Sequence, residues 1–251
     1  MRSLEHTELV AAKPFLIEQA YTKYTSDQHA LWSELVARRM AQLEQCACRE
    51  YLEGWRALGL GQEWIPHLPE VSERLEKRSG WRVQPVSGFM PSRAFFEMLK
   101  ARQFPTTTWL RSRESMDYTP EPDILHDALG HLPMLADQRF ADAVAEYGRV
   151  CYSMESEVKL ERMGRRYWYT FEFGLIRQDG AVKVYGSGVA SSQKECTNVL
   201  SGGCEIRDFS VAEVLETTVK VDEIHKRLFA INSFDEISSA VRVAQEIVEK
   251  S

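Results

Sequence analysis

The stretch Tyr118-Thr119-Pro120-Glu121-Pro122-Asp123-Ile124-Leu125-His126-Asp127-Ala128-Leu129-Gly130-His131-Leu132-Pro133 constrains this chain more than any other. Its first two prolines hold the backbone extended, and a short apolar-acidic segment with helical character follows. Two of the six histidines lie here, five positions apart. A zinc protease helix spaces its histidines four apart and places Glu after the first. Here the fourth place is Gly130, and a regular α-helix sets His131 about 140° round from His126. Pro133 disfavours helical geometry at Leu132, and glycine is the preferred residue just past a helix end. The sequence therefore predicts a helix that finishes at Leu129 or Gly130 and lets His131 swing back towards His126. Two imidazoles on one turn make a metal site short of a third ligand. The alternative is a helix whose histidines cap its own end.

A third ligand is available in Arg165-Arg166-Tyr167-Trp168-Tyr169-Thr170-Phe171-Glu172-Phe173-Gly174-Leu175, where Glu172 is the single acid in an aromatic and apolar run. An unpaired carboxylate is costly to bury, so it needs a partner or a metal. Arg165 or Arg166 could be that partner. With a metal instead, two imidazoles and one carboxylate leave open positions on an octahedral ion, the donor set of non-haem Fe(II) oxygen chemistry.

The 251 residues suffice for one large domain with a real core. Hydrophobic content of 44% and charged content of 27% are those of an ordinary globular protein. A net charge of −6 disfavours nucleic acid or an anionic membrane as partner. No stretch has the apolar length of a membrane span, and the N-terminus lacks a signal-peptide core, so a cytoplasmic protein is expected. The five cysteines form no Cys-x-x-Cys motif and are expected as free thiols.

Residues 1–25 are weakly patterned and read as an N-terminal arm on the surface; residues 26–251 read as one domain. Thr25-Ser26-Asp27 signals a cap, and a helical pattern continues to about Trp55. A short helix is expected over Glu70 to Lys77, a strand over Trp81 to Val86, a helix over Ser92 to Ala101 and a buried strand over Thr106 to Leu110. Ala136-Asp137 to Met154 reads as a long amphipathic helix. Gln178-Asp179-Gly180 joins two β-branched segments as a hairpin. Ser233-Phe234-Asp235-Glu236 is a capping box opening a helix to about Lys250. The fold class is mainly α with short β-hairpins. The glycines of Tyr185-Gly186-Ser187-Gly188 have no Gly-Lys-Ser/Thr context and do not make a phosphate loop.

Taken together, Tyr-Thr-Pro-Glu-Pro-Asp, His-Asp-x-x-Gly-His-x-Pro, Tyr-Trp-x-Thr-x-Glu-Phe-Gly-Leu and Tyr-Gly-x-Gly-x-x-Ser-Ser resemble the pterin-dependent aromatic amino acid hydroxylases, most closely the short bacterial phenylalanine 4-hydroxylases. The resemblance runs from about Tyr24 to Phe234 and is most specific between Trp81 and Ser192. It implies Fe(II) on His126, His131 and Glu172, and a tetrahydropterin against Gly88, Met90, Phe95, Asp127 and Tyr167. It further implies an amino acid pocket built from Arg111, Thr119, Pro122, Asp123, Trp168, Phe173, Gly188 and Ser191. A planar arginine suits a substrate carboxylate, and an aromatic face suits a flat pterin, so these placements are chemically sensible. Asp127 stands where some members carry Glu. The chain shows neither the heptads of the tetramerisation helix nor room for the regulatory domain of the animal enzymes, so a monomer is expected.

The resemblance thus implies a monooxygenase that uses O2 as co-substrate to hydroxylate the ring of a free aromatic amino acid, with L-phenylalanine to L-tyrosine foremost. Within the family the alternatives are a tryptophan hydroxylase or a phenylalanine 3-hydroxylase. Outside it they are a zinc hydrolase and a non-catalytic helical binding protein.

Overall fold

Helix α1 (Ser26–Cys46) begins as its sequence dictates. Thr25 Oγ1 accepts from Gln28 N and Gln28 Oε1 accepts from Thr25 N, a reciprocal capping box. The computed structural model describes residues 14–117, 119–220 and 223–250; residues 1–13 of the expected arm, and Tyr118, lie outside them. Leu16 is buried against Val86 of strand β1 (Arg82–Val86) and Ile17 N donates to Pro85 O, while Tyr21 and Tyr24 reach Ile65 O and Thr108 O.

The helical pattern to Trp55 is not one helix. Ala47 is extended, and the chain restarts as α2 (Arg49–Ala57). The cause is a strand edge: Cys48 N donates to Val184 O at 2.9 Å, and Ala47 bridges to Val184. Apolar periodicity continues on both sides of the break, so it carries no sign of it. Cys48 then caps α2 through its sulfur. All five cysteines are buried free thiols.

Helices α3 (Leu68–Ser79) and α4 (Ser92–Lys100) flank β1, which pairs in parallel with β2 (Gln103–Thr107). The expected strand over Thr106 to Leu110 is thus shifted towards the N-terminus. Arg102 takes a left-handed φ of 55° straight after α4 and turns the chain into β2 at once. At the other end Thr107 is taken up by Asp127, which accepts from both its N and its Oγ1 at 2.7 Å.

Downstream come α5 (Leu132–Leu135), α6 (Gln138–Ser153) capped by Asp137, and α7 (Glu157–Tyr167). Strands β3 (Leu175–Gln178) and β4 (Ala181–Val184) form the expected hairpin, with φ of 53° at Asp179 and 76° at Gly180. Helices α8 (Ser187–Ser191) and α9 (Gln193–Leu200), β5 (Glu205–Asp208), α10 (Val211–Glu216), β6 (Arg227–Ile231) and α11 (Asp235–Glu249) complete the chain. The second sheet has the order β4-β3-β6-β5, parallel except at the hairpin. The fold is mainly helical, as expected, but its remaining strand pairings are parallel rather than hairpins. At α11 the box is not reciprocal: Ser233 Oγ accepts from Asp235 N while Glu236 reaches Asn232 N. Among the described residues no helix is long and apolar enough to cross a membrane.

The expected helix end at Gly130 is also absent. His126–His131 is a π-helical turn, Leu132 N donates to Asp127 O five residues back, and α5 follows without a break. Gly130 is needed for close approach instead: an added Cβ would meet Ser187 Cβ at 3.0 Å. Pro133 therefore lies inside a continuous helix, where it brings no N–H to the carbonyls one turn earlier. The buried hydroxyl of Tyr51 on α2 fills that place, donating to Leu129 O at 2.7 Å. Tyr51→Phe should lower stability by about 1–2 kcal/mol. Thermal unfolding followed by circular dichroism would show it, and an unchanged midpoint would mean the carbonyl finds another donor.

Candidate active site

The π-helical turn does what the α-helix could not. At about 4.4 residues per turn, five positions bring His131 to within roughly 50° of His126. Their Nε2 atoms lie 3.2 Å apart with ring planes at 82°. A second widened turn, Trp168–Glu172, extends α7 and delivers Glu172; Phe173 N donates to Trp168 O five residues back. Glu172 Oε1 lies 3.2 Å from His131 Nε2, and Oε2 lies 3.8 Å from His126 Nε2. The arginine alternatives for Glu172 are otherwise engaged. Arg165 bonds Leu215 O and Glu161, and Arg166 bonds Ile237 O.

Two ligand atoms about 2.1 Å from one ion and at right angles are about 3.0 Å apart, so these separations fit one face of a metal's coordination shell. The three donors lie within 4.8 Å of one another. Their supports are equally specific. Ser191 Oγ holds His126 Nδ1 at 2.9 Å, turning Nε2 towards the cluster, and Ser187 Oγ donates to Glu172 Oε2 at 2.6 Å. Asp123 accepts from His126 N, and the Phe104 ring packs on His131 with centroids 4.7 Å apart. Burial pulls His126 below its ordinary pKa. It pulls His131 the same way, but the Glu172 carboxylate more than offsets this and leaves His131 raised. Burial alone would raise Glu172; the two imidazoles, His131 foremost, and Ser187 more than offset it and hold Glu172 at about 2. The set is anionic oxygen plus imidazole, which suits a divalent transition metal such as Fe(II).

Above the cluster opens a cavity of about 340 Å³ whose lining includes His126, His131 and Glu172. All five residues expected beside the pterin line it: Gly88, Met90, Phe95, Asp127 and Tyr167. Phe95 and Tyr167 meet edge-on at 5.9 Å. Asp127 is buried and its pKa is raised by that burial, against the pull of both histidines and Thr107. Of the residues expected at the amino acid, only Pro122 lines this cavity. Trp168 and Phe173 stack at 4.9 Å beside it, and at Gly188 an added Cβ would meet the Phe173 ring at 2.5 Å.

Arg111 is committed in a way its sequence does not reveal. Its Nε and Nη2 donate to the two carboxylate oxygens of fully buried Asp123 at 2.8 and 2.7 Å, and Nη1 reaches Met116 O. One edge of the fork is therefore taken by Asp123, and a carboxylate ligand has only the outer edge to use. Thr119 lies outside the cavity lining. Sequence reasoning missed Ser187, Thr107, and the buried pair Glu195 and His225. Ser187 lies within a quoted motif; nothing local marks the other three, because their partners are distant in the chain.

Residues 16–251 match the family described as biopterin-dependent aromatic amino acid hydroxylase. The phenylalanine-4-hydroxylase of Ralstonia nicotianae is 37% identical over 229 residues, 91% of this chain and 73% of that protein. That of Pseudomonas aeruginosa is 34% identical, covering 97% of this chain and 90% of the relative. The crystal structure of Chromobacterium violaceum phenylalanine hydroxylase with bound iron(III) and 7,8-dihydrobiopterin superposes with a TM-score of 0.89. It is 34% identical, over 94% of this chain and 86% of that one.

Ser187→Ala removes the only hydroxyl on Glu172 among the described residues without touching a ligand atom. It should weaken Fe(II) binding about tenfold to a hundredfold with an unchanged far-UV spectrum. Metal titration decides; wild-type affinity would mean that Glu172 is oriented by its turn alone.

Proposed function

The chain belongs to the biopterin-dependent aromatic amino acid hydroxylases, and from that premise we propose that it converts L-phenylalanine to L-tyrosine. It is an iron- and pterin-dependent monooxygenase. The observation that carries the reading is the convergence of His126, His131 and Glu172 at the base of a cavity lined by aromatic rings. Bound Fe(II) and a tetrahydropterin supply the activation of O2, which is the hard chemistry; the protein supplies binding, orientation and exclusion of water.

In this reading the pterin lies in the cavity, with its flat ring against Phe95 and Tyr167 and its edge near Asp127. The amino acid takes the neighbouring space. Its carboxylate meets the outer edge of Arg111 near Thr119 and Pro122, while Asp123 keeps that guanidinium from turning. Its ring is held by Trp168 and Phe173, with Gly188 and Ser191 behind. The open side of the metal face and both pockets thus meet over Glu172. In the zinc hydrolase alternative the acid after His126 would have to act as the base, and here it is Asp127, held by Thr107. The same reading takes residues 26–251 as the catalytic domain of a cytoplasmic monomer.

The test is product analysis with Fe(II), a tetrahydropterin and O2, offering phenylalanine, tryptophan and tyrosine separately. Pterin-dependent tyrosine from phenylalanine is expected, and His126→Ala or Glu172→Gln should lower it by at least about a thousandfold, the scale of losing an essential catalytic group. A hydroxylated tryptophan or 3-hydroxyphenylalanine would keep the site and replace the substrate or ring position. A Glu172→Gln enzyme near the normal rate would overturn the metal assignment.

A further inference from the structure

We propose that His225 and Glu195 are positioning residues for the amino acid ring: a buried relay that fixes Trp168 and Phe173. The proposal rests on the reading above, in which those two rings form the wall of the amino acid pocket. Both relay residues are buried, and neither lines the cavity. Trp168 Nε1 donates to His225 Nε2 at 2.8 Å. An indole N–H can only donate, so Nε2 is the accepting nitrogen and the ring proton sits on Nδ1. That proton faces Glu195 Oε1 at 2.7 Å, and the same oxygen accepts from His225 N at 3.1 Å. Asn198 Nδ2 donates to His225 O at 2.7 Å, so the residue is tied on backbone and on both ring nitrogens.

The imidazole also sets a ring that it does not hydrogen-bond. Phe173 lies on it with centroids 4.0 Å apart and planes at 33°, and the backbone of Gly188 closes on the Phe173 ring from α8. Phe173 is held between these two surfaces, and Trp168 stacks on it in turn. The order of support runs from Glu195 on α9 to His225, then to Trp168 and Phe173, the residues four before and one after Glu172. An apolar side chain would fill the place of His225 without the cost of burying a carboxylate and an imidazole. What it could not do is fix the angle of the indole.

The experiment compares the Fe(II)-loaded full chain with His225→Leu, which removes both ring hydrogen bonds, and His225→Gln, which keeps an acceptor and a donor. Steady-state KM is measured separately for phenylalanine and the tetrahydropterin, with tyrosine formed per pterin oxidised. His225→Leu should raise KM for phenylalanine about tenfold, the size expected when a buried donor loses its acceptor. It should lower the product ratio, leave KM for the pterin within about twofold, and be largely rescued in His225→Gln. Equal behaviour of the two variants, or a parallel rise in both KM values, would overturn the proposal in favour of a purely structural pair. Should His225→Leu fail to fold, Glu195→Gln takes its place: a rise in KM for phenylalanine alone supports the relay, and a wild-type value overturns it. A wild-type protein that oxidises pterin but makes no tyrosine would instead overturn the substrate reading, before any variant is compared.

Discussion

The metal face depends on helices that are wider than an α-helix at two places. In regular geometry His126 and His131 would look in different directions, and the bond from Phe173 N to Trp168 O would not exist. Widening disturbs the backbone pairing, and each widened turn has a side-chain hydroxyl on a buried carbonyl nearby. Tyr51 donates to Leu129 O at 2.7 Å, and Thr170 Oγ1 donates to Arg166 O at 2.6 Å. A hydroxyl is a strong enough donor to stand in for a missing N–H, and packing keeps both of these out of water. One side chain from α2 and one from the turn itself thus bond the backbone at the two turns.

Three carboxylates stand at this face, Asp123 and Asp127 buried and Glu172 partly so, and their partners divide their labour. Asp123 accepts from Arg111 N, Nε and Nη2 and from His126 N, so its charge is fully met by fixed donors. Asp127 has the N–H and hydroxyl of Thr107, which orient it but bring no full charge. Glu172 has one hydroxyl and two imidazoles whose lone pairs point at the same space. Only the last arrangement gains a cation by binding a metal. The first locks an arginine, and the second leaves a carboxyl at the cavity wall whose pKa is raised by burial.

The metal ligands were legible because five-residue spacing, the lone acid in an aromatic run and four linked motifs all lie within short stretches. The route by which they meet was not. Gly130 and Pro133 read locally as a helix end, yet the π-helical turn runs through Gly130 into α5, which holds Pro133, with Tyr51 donating to Leu129 O and Ser187 packed close against Gly130. The break at Ala47 was equally hidden, because its cause is Val184, far away in sequence. Arg111 shows the limit most clearly. Its type suits a carboxylate, but whether the carboxylate is the ligand's or Asp123's is a fact of tertiary structure, and both oxygens nearest its fork belong to Asp123. Strands β5 and β6 went unread because parallel partners leave no hairpin signal between them.

Tyr167, Trp168, Glu172 and Phe173 lie along one stretch, the end of α7 and the widened turn that extends it, so in the proposed reading the cofactor wall, the substrate wall and a metal ligand share one support. Their base packs against α6 through Tyr147 and against α8 through Gly188. The mouth of the cavity is built differently. Phe89, on the loop that follows β1, lines it while remaining 74% exposed. A flat ligand that enters covers that ring and removes apolar surface from water at the rim, where no geometry has to be exact to a fraction of an ångström. Binding strength can then come from the mouth while alignment is set at the base. That separation is what a reaction between two small molecules over one metal requires, because affinity gained by tilting either ring at Glu172 would be lost in the chemistry.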